Sequence, residues 1–294
     1  MNFTFNGISS STYGVNVTDI RIFSPEVRDE YEYIPGKDGS YIFNAAYGDR
    51  RVEVECYIAQ PTVTETLTKE REITGWLLRP QTRARLSFEI DESVYFLAKV
   101  DEQIEFSHQL NVSFFTISFN CEPFIYSVQE YVKSVQLSSG STSYIQVEGT
   151  AYNYPIIEIS PVSINTGYNN HANSGYNAHF NFGYNNGYNN HFNSGYNDHA
   201  NTGYNNHVNV SATSIAGGQL QVRGIKLNVN LPINAGETLL LDTAKLTATK
   251  NNTSVLANIS GTFMPLWAGS NSVYWLADNG AAANITFRYH ARWL

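Results

Sequence analysis

Through residues 1–121, apolar and polar positions alternate in short runs, the period-2 signature of strands that bury one face. The clearest run is Arg51-Val52-Glu53-Val54-Glu55-Cys56-Tyr57-Ile58, which sets Val52, Val54 and Cys56 on one side and charged residues on the other. Strands are predicted near 2–6, 14–23, 40–45, 50–58, 84–90, 94–100, 104–108 and 112–121, with Asp91-Glu92-Ser93 as a tight turn. The period changes from Thr62 to Leu78, where Val63, Leu67, Ile73, Trp76, Leu77 and Leu78 alternate at helical spacing with Glu65, Lys69, Glu70, Arg71 and Glu72. Arg79-Pro80 ends that helix, because the residue before proline avoids α geometry. Trp76 is expected to seat the helix on the sheet, with ligand stacking as the alternative role.

Between two predicted strands lies Tyr33-Ile34-Pro35-Gly36-Lys37-Asp38-Gly39-Ser40-Tyr41. Pro35 and Gly36 set one turn and Asp38-Gly39 a second, so the segment is a shaped connection that projects towards a partner. It is not a phosphate loop, lacking the GKS/T ending and a following helix. Pro35, Gly36, Lys37, Asp38 and Gly39 are the candidate assembly loop.

Residues 165–208 carry an octapeptide repeat: NTGYNNHA, NSGYNAHF, a truncated NFGYNN, GYNNHF, NSGYNDHA and NTGYNNHV. β-type sequence flanks it, from Tyr144 to Ile164 and from Val208 to Val229, so the repeat reads as an insert in a domain that closes without it. The glycines at 167, 175, 183, 187, 195 and 203 keep an even phase. In extended geometry an even phase puts all the tyrosines on one face and the histidines on the other. Three readings stay open: a β-ribbon or small solenoid stacked on itself, an aggregation-prone or disordered Asn-rich tract, and a metal site. Imidazole suits zinc, nickel or copper, which makes His171, His179, His191, His199 and His207 candidate ligands. Histidines eight residues apart stand about 26 Å apart along a straight strand, so they converge only if every octad folds back. The leading expectation is an ordered, metal-independent projection.

Composition narrows the class. Twenty Tyr, sixteen Phe and 21 Gly in 294 residues, with few strong helix formers, point to a mainly β protein. Residues 1–130 carry 11 Lys/Arg against 20 Asp/Glu, whereas residues 131–294 carry 7 against 6, so the net charge of −8 belongs to the first half. Such a balance offers no long basic groove for a phosphate backbone, which argues against specific nucleic-acid binding. No apolar run reaches the length of a membrane span, and no signal-peptide pattern opens the chain, so membrane insertion is not expected. Cys56 and Cys121 fall on apolar strand faces and read as unpaired core thiols, as in a chain made in a reducing compartment; a disulfide is the alternative.

Enzyme chemistry finds little footing. No GxSxG elbow is present, and His108 and His290 lie in strand-like runs. The carboxylates of the second half, Glu148, Glu158, Asp198, Glu237, Asp242 and Asp278, form no recognisable pair of the glycosidase kind. Neither a catalytic residue nor a cofactor site is therefore assigned. Trp267, Tyr274 and Trp275, with the repeat tyrosines, are candidates for stacking on sugar rings, although at least one of these aromatics is expected in the core.

Six stretches of the first half, FTFNGISSSTYGVNV at 3–17, IPGKDGSYIF at 34–43, GDRRVEV at 48–54, the helix ending in Trp76-Leu77, YFLAKV at 95–100 and FNCEPF at 119–124, resemble the distal tail proteins of siphophages and prophages of Gram-positive bacteria. GETLLLDTAKLTATKNN at 236–252, ISGTFMPLWAGSNSV at 259–273 and ITFRYHARWL at 285–294 extend the resemblance to the second half, leaving out the repeat. Ile34 and Lys37 stand where the family more often has Val and Arg in VPGRDG. The resemblance implies an N-terminal β-sandwich domain at 1–130 with one helix and a β-hairpin, and a galectin-like β-sandwich at 131–294 interrupted by the repeat insert. It further implies a homo-hexameric ring at the virion tail tip, assembled in the host cytoplasm. The ring joins the tail tube protein to a tail tip or tail-associated protein and leaves a channel for DNA. A receptor-binding protein or host cell-wall polysaccharide is the further partner considered, which makes a carbohydrate-binding adhesion module the alternative function.

Overall fold

A computed structural model describes residues 1–162, 169–173, 181–184, 188–193 and 214–294. The first half is built around the strand Val112–Cys121. One edge of it pairs antiparallel along the whole of Arg50–Ala59, and Asn16–Ile22 pairs with the outer side of that strand. Its other edge takes Phe106–Gln109 at one end and Asp91–Val100 at the other. Asp91–Val100 continues the sheet through Ala84–Phe88 to Phe3–Phe5. Strand alternation then decides the core. Val52, Val54 and Cys56 face inward opposite Phe119, Ile117 and Phe115, with Ile58 and Cys121 on the same face, and all eight are buried. Both cysteines are free thiols in that core.

The helix Val63–Leu78 lies on this core. Thr62 caps it, with the Glu65 backbone N–H donating to the Thr62 hydroxyl and the Thr62 N–H to the Glu65 carboxylate, a reciprocal box that satisfies two end donors. Trp76 seats it as expected, stacked between Phe3 and Tyr13 with its Nε1–H donating to the Phe5 carbonyl at 3.2 Å. The buried stripe differs from the sequence expectation: it is Thr66, Glu70, Ile73, Trp76 and Leu77, while Val63, Leu67 and Leu78 are exposed. In the first turns it is Thr66 that faces inward, its hydroxyl donating to the Asn111 carbonyl, which leaves Val63 and Leu67 on the outer sides. A second correction concerns the turn before Asp91. The bend is at Glu89-Ile90, and Asp91 already pairs with Phe88, its carboxylate accepting from the Ser93 N–H and hydroxyl.

The second half is a sandwich of two antiparallel sheets. One orders Ser141–Val147, Gly269–Ala277, Gly218–Val222, Ile225–Val229 and Ile259–Gly261. The other orders Ile125–Leu137, Ala283–Trp293, Ile156–Pro161, Leu239–Asp242 and Thr247–Lys250. Leu220, Val222, Leu227 and Trp275 from the first pack with Ile157, Ile159, Leu239 and Phe287 from the second in one hydrophobic cluster. The strand Ile125–Leu137 belongs to both halves. At Tyr126 and Ser127 it pairs with Tyr95 and Val94, and after a bulge it pairs from Glu130 to Leu137 with the last strand. Aromatic and cationic groups fill the junction: Tyr126 stacks on Tyr95 at 5.4 Å, and the Arg292 guanidinium lies over Phe124, Tyr126 and Tyr154.

Within the repeat, Asn169–Asn173 pairs in parallel with Tyr188–Asn193, placing His171 opposite His191, and Asn181–Tyr184 pairs antiparallel with the same strand. The rest of 165–208 lies outside the described residues, and with it the expected tyrosine and histidine faces, the metal reading of the five histidines and the ordered projection.

Candidate assembly surfaces

The segment Val27–Tyr47 is a β-hairpin. Val27–Glu32 pairs with Tyr41–Tyr47, Tyr31 opposite Ile42, with a bulge between Arg28 and Glu30. These two strands form a sheet of their own, paired with neither larger sheet. Directly opposed residues share a face, so Tyr31 and Ile42 lie on one side and Tyr41 and Phe43 on the other. All four are exposed, as are Val27 and Ile34, and Tyr33 reaches 74%. The hairpin thus carries exposed apolar side chains on both faces, beside Glu30 and Glu32 on the face of Phe43 and Tyr41, and among the described residues it pairs with no other strand; exposed apolar surface of this kind marks an interaction site.

The candidate loop Pro35–Gly39 caps the hairpin tip. The Lys37 N–H donates to the Ile34 carbonyl at 3.1 Å around Pro35 and Gly36, with Gly36 at φ 84°, the proline-then-glycine arrangement of a type II turn. Gly39 sits at φ 82°, so both glycines are where a Cβ would strain the backbone. The Lys37 ammonium lies 3.6 Å from the Tyr41 ring centroid and donates to its hydroxyl, which ties the loop to the returning strand. At the base, Gly48 N–H donates to the Glu26 carbonyl at 2.7 Å, and Tyr47 meets Phe124 edge-on.

A second surface is the outward face of Arg50–Ala59 and its neighbours. Asp19, Glu53, Glu55, Glu102 and Glu105 gather there around Arg21 and Arg51. Arg21 reaches Asp19, Glu53 and Glu55, and Arg51 reaches Glu53 and Glu102, so four carboxylates share two guanidinium groups, and with Glu105 beside them the face stays negative.

In the second half the predicted aromatics separate. Trp275 is fully buried, its Nε1–H donating to the Ala281 carbonyl, and presents no ring face to a ligand. Trp267 is half-buried under the Arg223 guanidinium, and Tyr274 is half-buried on the outward face of the five-stranded sheet. Beside Tyr274 runs a row of amides that the aromatic search missed. Gln221 donates to Gln219 at 2.6 Å, Gln219 to Asn228 at 2.7 Å, and Asn228 to Ser260 at 3.4 Å. The pattern Gly218-Gln219-Leu220-Gln221-Val222, amide-out and aliphatic-in, is the signal that finds it.

Of the described carboxylates of this half, Glu148, Glu158, Glu237 and Asp242 are engaged by cations. Glu237 takes hydrogen bonds first from Lys250 and then from the Asn234 N–H, which hold it down to about 2. Burial alone would raise Glu148, but hydrogen bonds from Lys133 and Tyr289 outweigh it and the group ends below its ordinary value. Glu158 pairs with Arg288. Among the described residues, no group of three or more His, Cys, Asp or Glu is placed to hold a metal ion, and no helix is long and apolar enough to cross a membrane.

Residues 8–121 match the family model of the phage tail protein RIFT-related domain. The Dit protein of phage SPP1, described as a paradigm of the hub adsorption apparatus in phages infecting Gram-positive bacteria, superposes with a TM-score of 0.67 at 16% identity, over 98% of each chain. The phage P2 baseplate, activated with Ca, aligns at a TM-score of 0.34 and 7% identity over 94% of this chain and 90% of that one. Activated with Sr, it aligns at 0.33 and 9% identity over 98% and 96%. No curated protein matches by sequence. Residues 8–121 thus resemble a phage tail protein domain, and the chain over nearly its whole length has the fold of the SPP1 Dit protein.

Proposed function

We propose that the chain forms a homo-hexameric ring at the tail tip, residues 1–130 building the ring and residues 131–294 projecting from it. The ring joins the tail tube protein to a tail tip protein. The observation that carries this reading is the hairpin Val27–Tyr47, which exposes apolar side chains on both faces and, among the described residues, pairs with no other sheet. The resemblance in sequence supplies the number six; cyclic symmetry by itself leaves it open. The negative face formed by Asp19, Glu53, Glu55, Glu102 and Glu105 lines the channel, where it repels the phosphate backbone and lets DNA pass without sticking. Mass by light scattering on the full chain tests the assembly: a species six times the monomer mass supports it. A monomer at every concentration, with no ring in tail particles, removes it.

A second reading, carbohydrate binding by the outer half, draws on the amide row Gln221, Gln219 and Asn228 beside Tyr274. Its side chains are held by one another and leave donors and acceptors facing solvent, the groups that recognise sugar hydroxyls. Titration with host cell-wall polysaccharide tests it, saturable binding lost in Gln219→Ala/Gln221→Ala being the supporting result. The repeat at 165–208 is proposed as an ordered, metal-independent projection that spaces or braces neighbouring subunits. Hydrogen exchange with and without a chelator tests it, immediate exchange throughout being the opposing result.

A further inference from the structure

The two sheets of the second half treat charge in opposite ways. In the sheet that contains Ile125–Leu137, every charged side chain but Arg292 has an opposite partner, and Arg292 lies over aromatic rings. The five strands of the other sheet contain neither Asp nor Glu, and their one charged residue, Lys226, is exposed and pairs with no described carboxylate. Arg223, in the turn that leads to it, is also exposed and also without a described carboxylate. We infer that the outward face of this sheet, from Tyr144 across Tyr274 and Gln221 to Lys226 and Arg223, binds a polyhydroxyl polymer that carries anionic groups, a phosphodiester-linked polyol or a uronate-bearing polysaccharide. The inference rests on the carbohydrate reading above and adds to it the charge of the ligand.

Register brings these groups together. Thr142 pairs with Tyr274, Tyr274 with Gln221 and Gln221 with Lys226, and directly opposed residues share a face, so the four cross the sheet in one row. Tyr144 stands diagonally beside Tyr274 and is 69% exposed. Two carboxylates flank the sheet in sequence. Glu148, next after Val147, is taken by Lys133 and Tyr289. Asp278 follows Ala277 at the far end, about 13 Å along the strand from Tyr274 at 3.3 Å per residue. The row therefore keeps a positive sign in a chain whose net charge is −8, and it draws anions that the rest of the surface repels.

The turn points the same way. Val222 pairs with Ile225, so Arg223 and Gly224 are the two central residues, at φ 50° and 82°, the arrangement of a type I′ turn. Asn is the residue favoured at the first of these positions, and an arginine there sits in a region that long side chains rarely adopt. Backbone held in such a region points to a role for the side chain. The Arg223 N–H donates to the Ser272 carbonyl at 3.0 Å, and its guanidinium lies 5.0 Å from the Trp267 ring centroid, a stacking that fixes the group and leaves its edge N–H donors open. The ligand follows from the set. Fixed amides suit hydroxyls, tyrosine rings suit the apolar faces of sugars or polyols, and the two cations suit spaced anionic groups. A nucleic-acid backbone, charged at every phosphate, calls for a denser basic surface.

Calorimetric titration of the full chain tests this with poly(glycerol phosphate), polygalacturonate, neutral dextran, single-stranded DNA and host cell-wall polysaccharide. At least one of the two anionic polyol polymers should bind more tightly than dextran and lose about tenfold or more in affinity between about 50 and 500 mM salt; the tighter of the two names the source of the anion. Arg223→Asn/Lys226→Gln should weaken that binding about tenfold or more and remove its salt dependence. Asn suits the turn and Lys226 is exposed, so the fold persists, and circular dichroism checks it. Lys245→Gln removes a cation from the other sheet's turn and should leave binding unchanged. Dextran or wall polysaccharide bound equally by wild type and the double variant overturns the anionic assignment and leaves the carbohydrate reading standing. DNA bound as tightly as the polyol polymers, or Lys245→Gln as damaging as the double variant, marks a response to charge alone and overturns the assignment too. No binding to any of these polymers removes both readings.

Discussion

Replacing Trp76 by alanine should unfold the first half well before it disturbs the second. The indole is 5% exposed, stacked at 5.6 Å on Phe3 and 4.9 Å on Tyr13, and set edge-on to Phe5 at 6.4 Å. Truncating a buried aromatic costs about 3–5 kcal/mol through lost burial and the cavity left behind. Losing the Nε1–H bond to the Phe5 carbonyl adds about 1 kcal/mol. The sum, about 4–6 kcal/mol, is a large part of the roughly 5–15 kcal/mol that stabilises a typical domain. Trp76→Phe keeps one ring in the stack and loses about three buried heavy atoms and the hydrogen bond, so about 3 kcal/mol is expected. The remaining tryptophans, Trp267, Trp275 and Trp293, all lie in the second half, so fluorescence reports that half while hydrogen exchange on the helix amides reports the first. Urea titrations followed both ways measure the two losses. A change below about 1 kcal/mol for Trp76→Ala would show that the ring does not seat the helix and would reopen a ligand-stacking role.

Burial pushes the Cys56 thiol up to about 12, and burial, partly opposed by Arg50 and Arg83, does the same for Cys121. Iodoacetamide at pH 8 should therefore label neither in the folded chain and both in urea, rapid labelling of the native protein being the contrary result. Asn271 is fully buried, accepts from the Trp267 N–H at 3.0 Å and donates to the Trp267 and Gly269 carbonyls. Asn271→Ala leaves those backbone groups unpaired and should cost about 2–4 kcal/mol, read as a drop in Tm. Glu237, held down to about 2 from 4.5, binds a proton less readily folded than unfolded. Its contribution is complete above pH 4.5 and is lost as the pH falls through about 2, so Glu237→Gln should flatten the acid side of the Tm profile in that window. An unchanged acid slope would count against the Lys250 pairing.

Much of this protein is legible in its sequence. Strand alternation places Val52, Val54, Cys56, Phe115, Ile117 and Phe119 in the core because the side-chain period of a strand is fixed by local geometry and needs no knowledge of the partner. The helix, its start at Thr62 and the turn at Pro35-Gly36 follow from equally local rules of capping and φ preference. What sequence pattern did not decide is which surfaces stay bare. Val63 and Leu67 sit on a helical apolar stripe yet are exposed, since Thr66 is the residue that turns inward there; Glu70, on the polar side, is buried beside His108. The strand Val27–Glu32 is too rich in charge to read as one, and exists because Tyr41–Tyr47 supplies its ladder. Trp267 and Trp275 look alike in sequence, and only the packing of one sheet on the other puts Trp275 inside. Period and turn chemistry are properties of neighbouring residues, so the sequence determined the elements and their inward faces. Exposure is a property of what packs opposite, often more than a hundred residues away, and so which apolar side chains stay bare was decided by the tertiary structure.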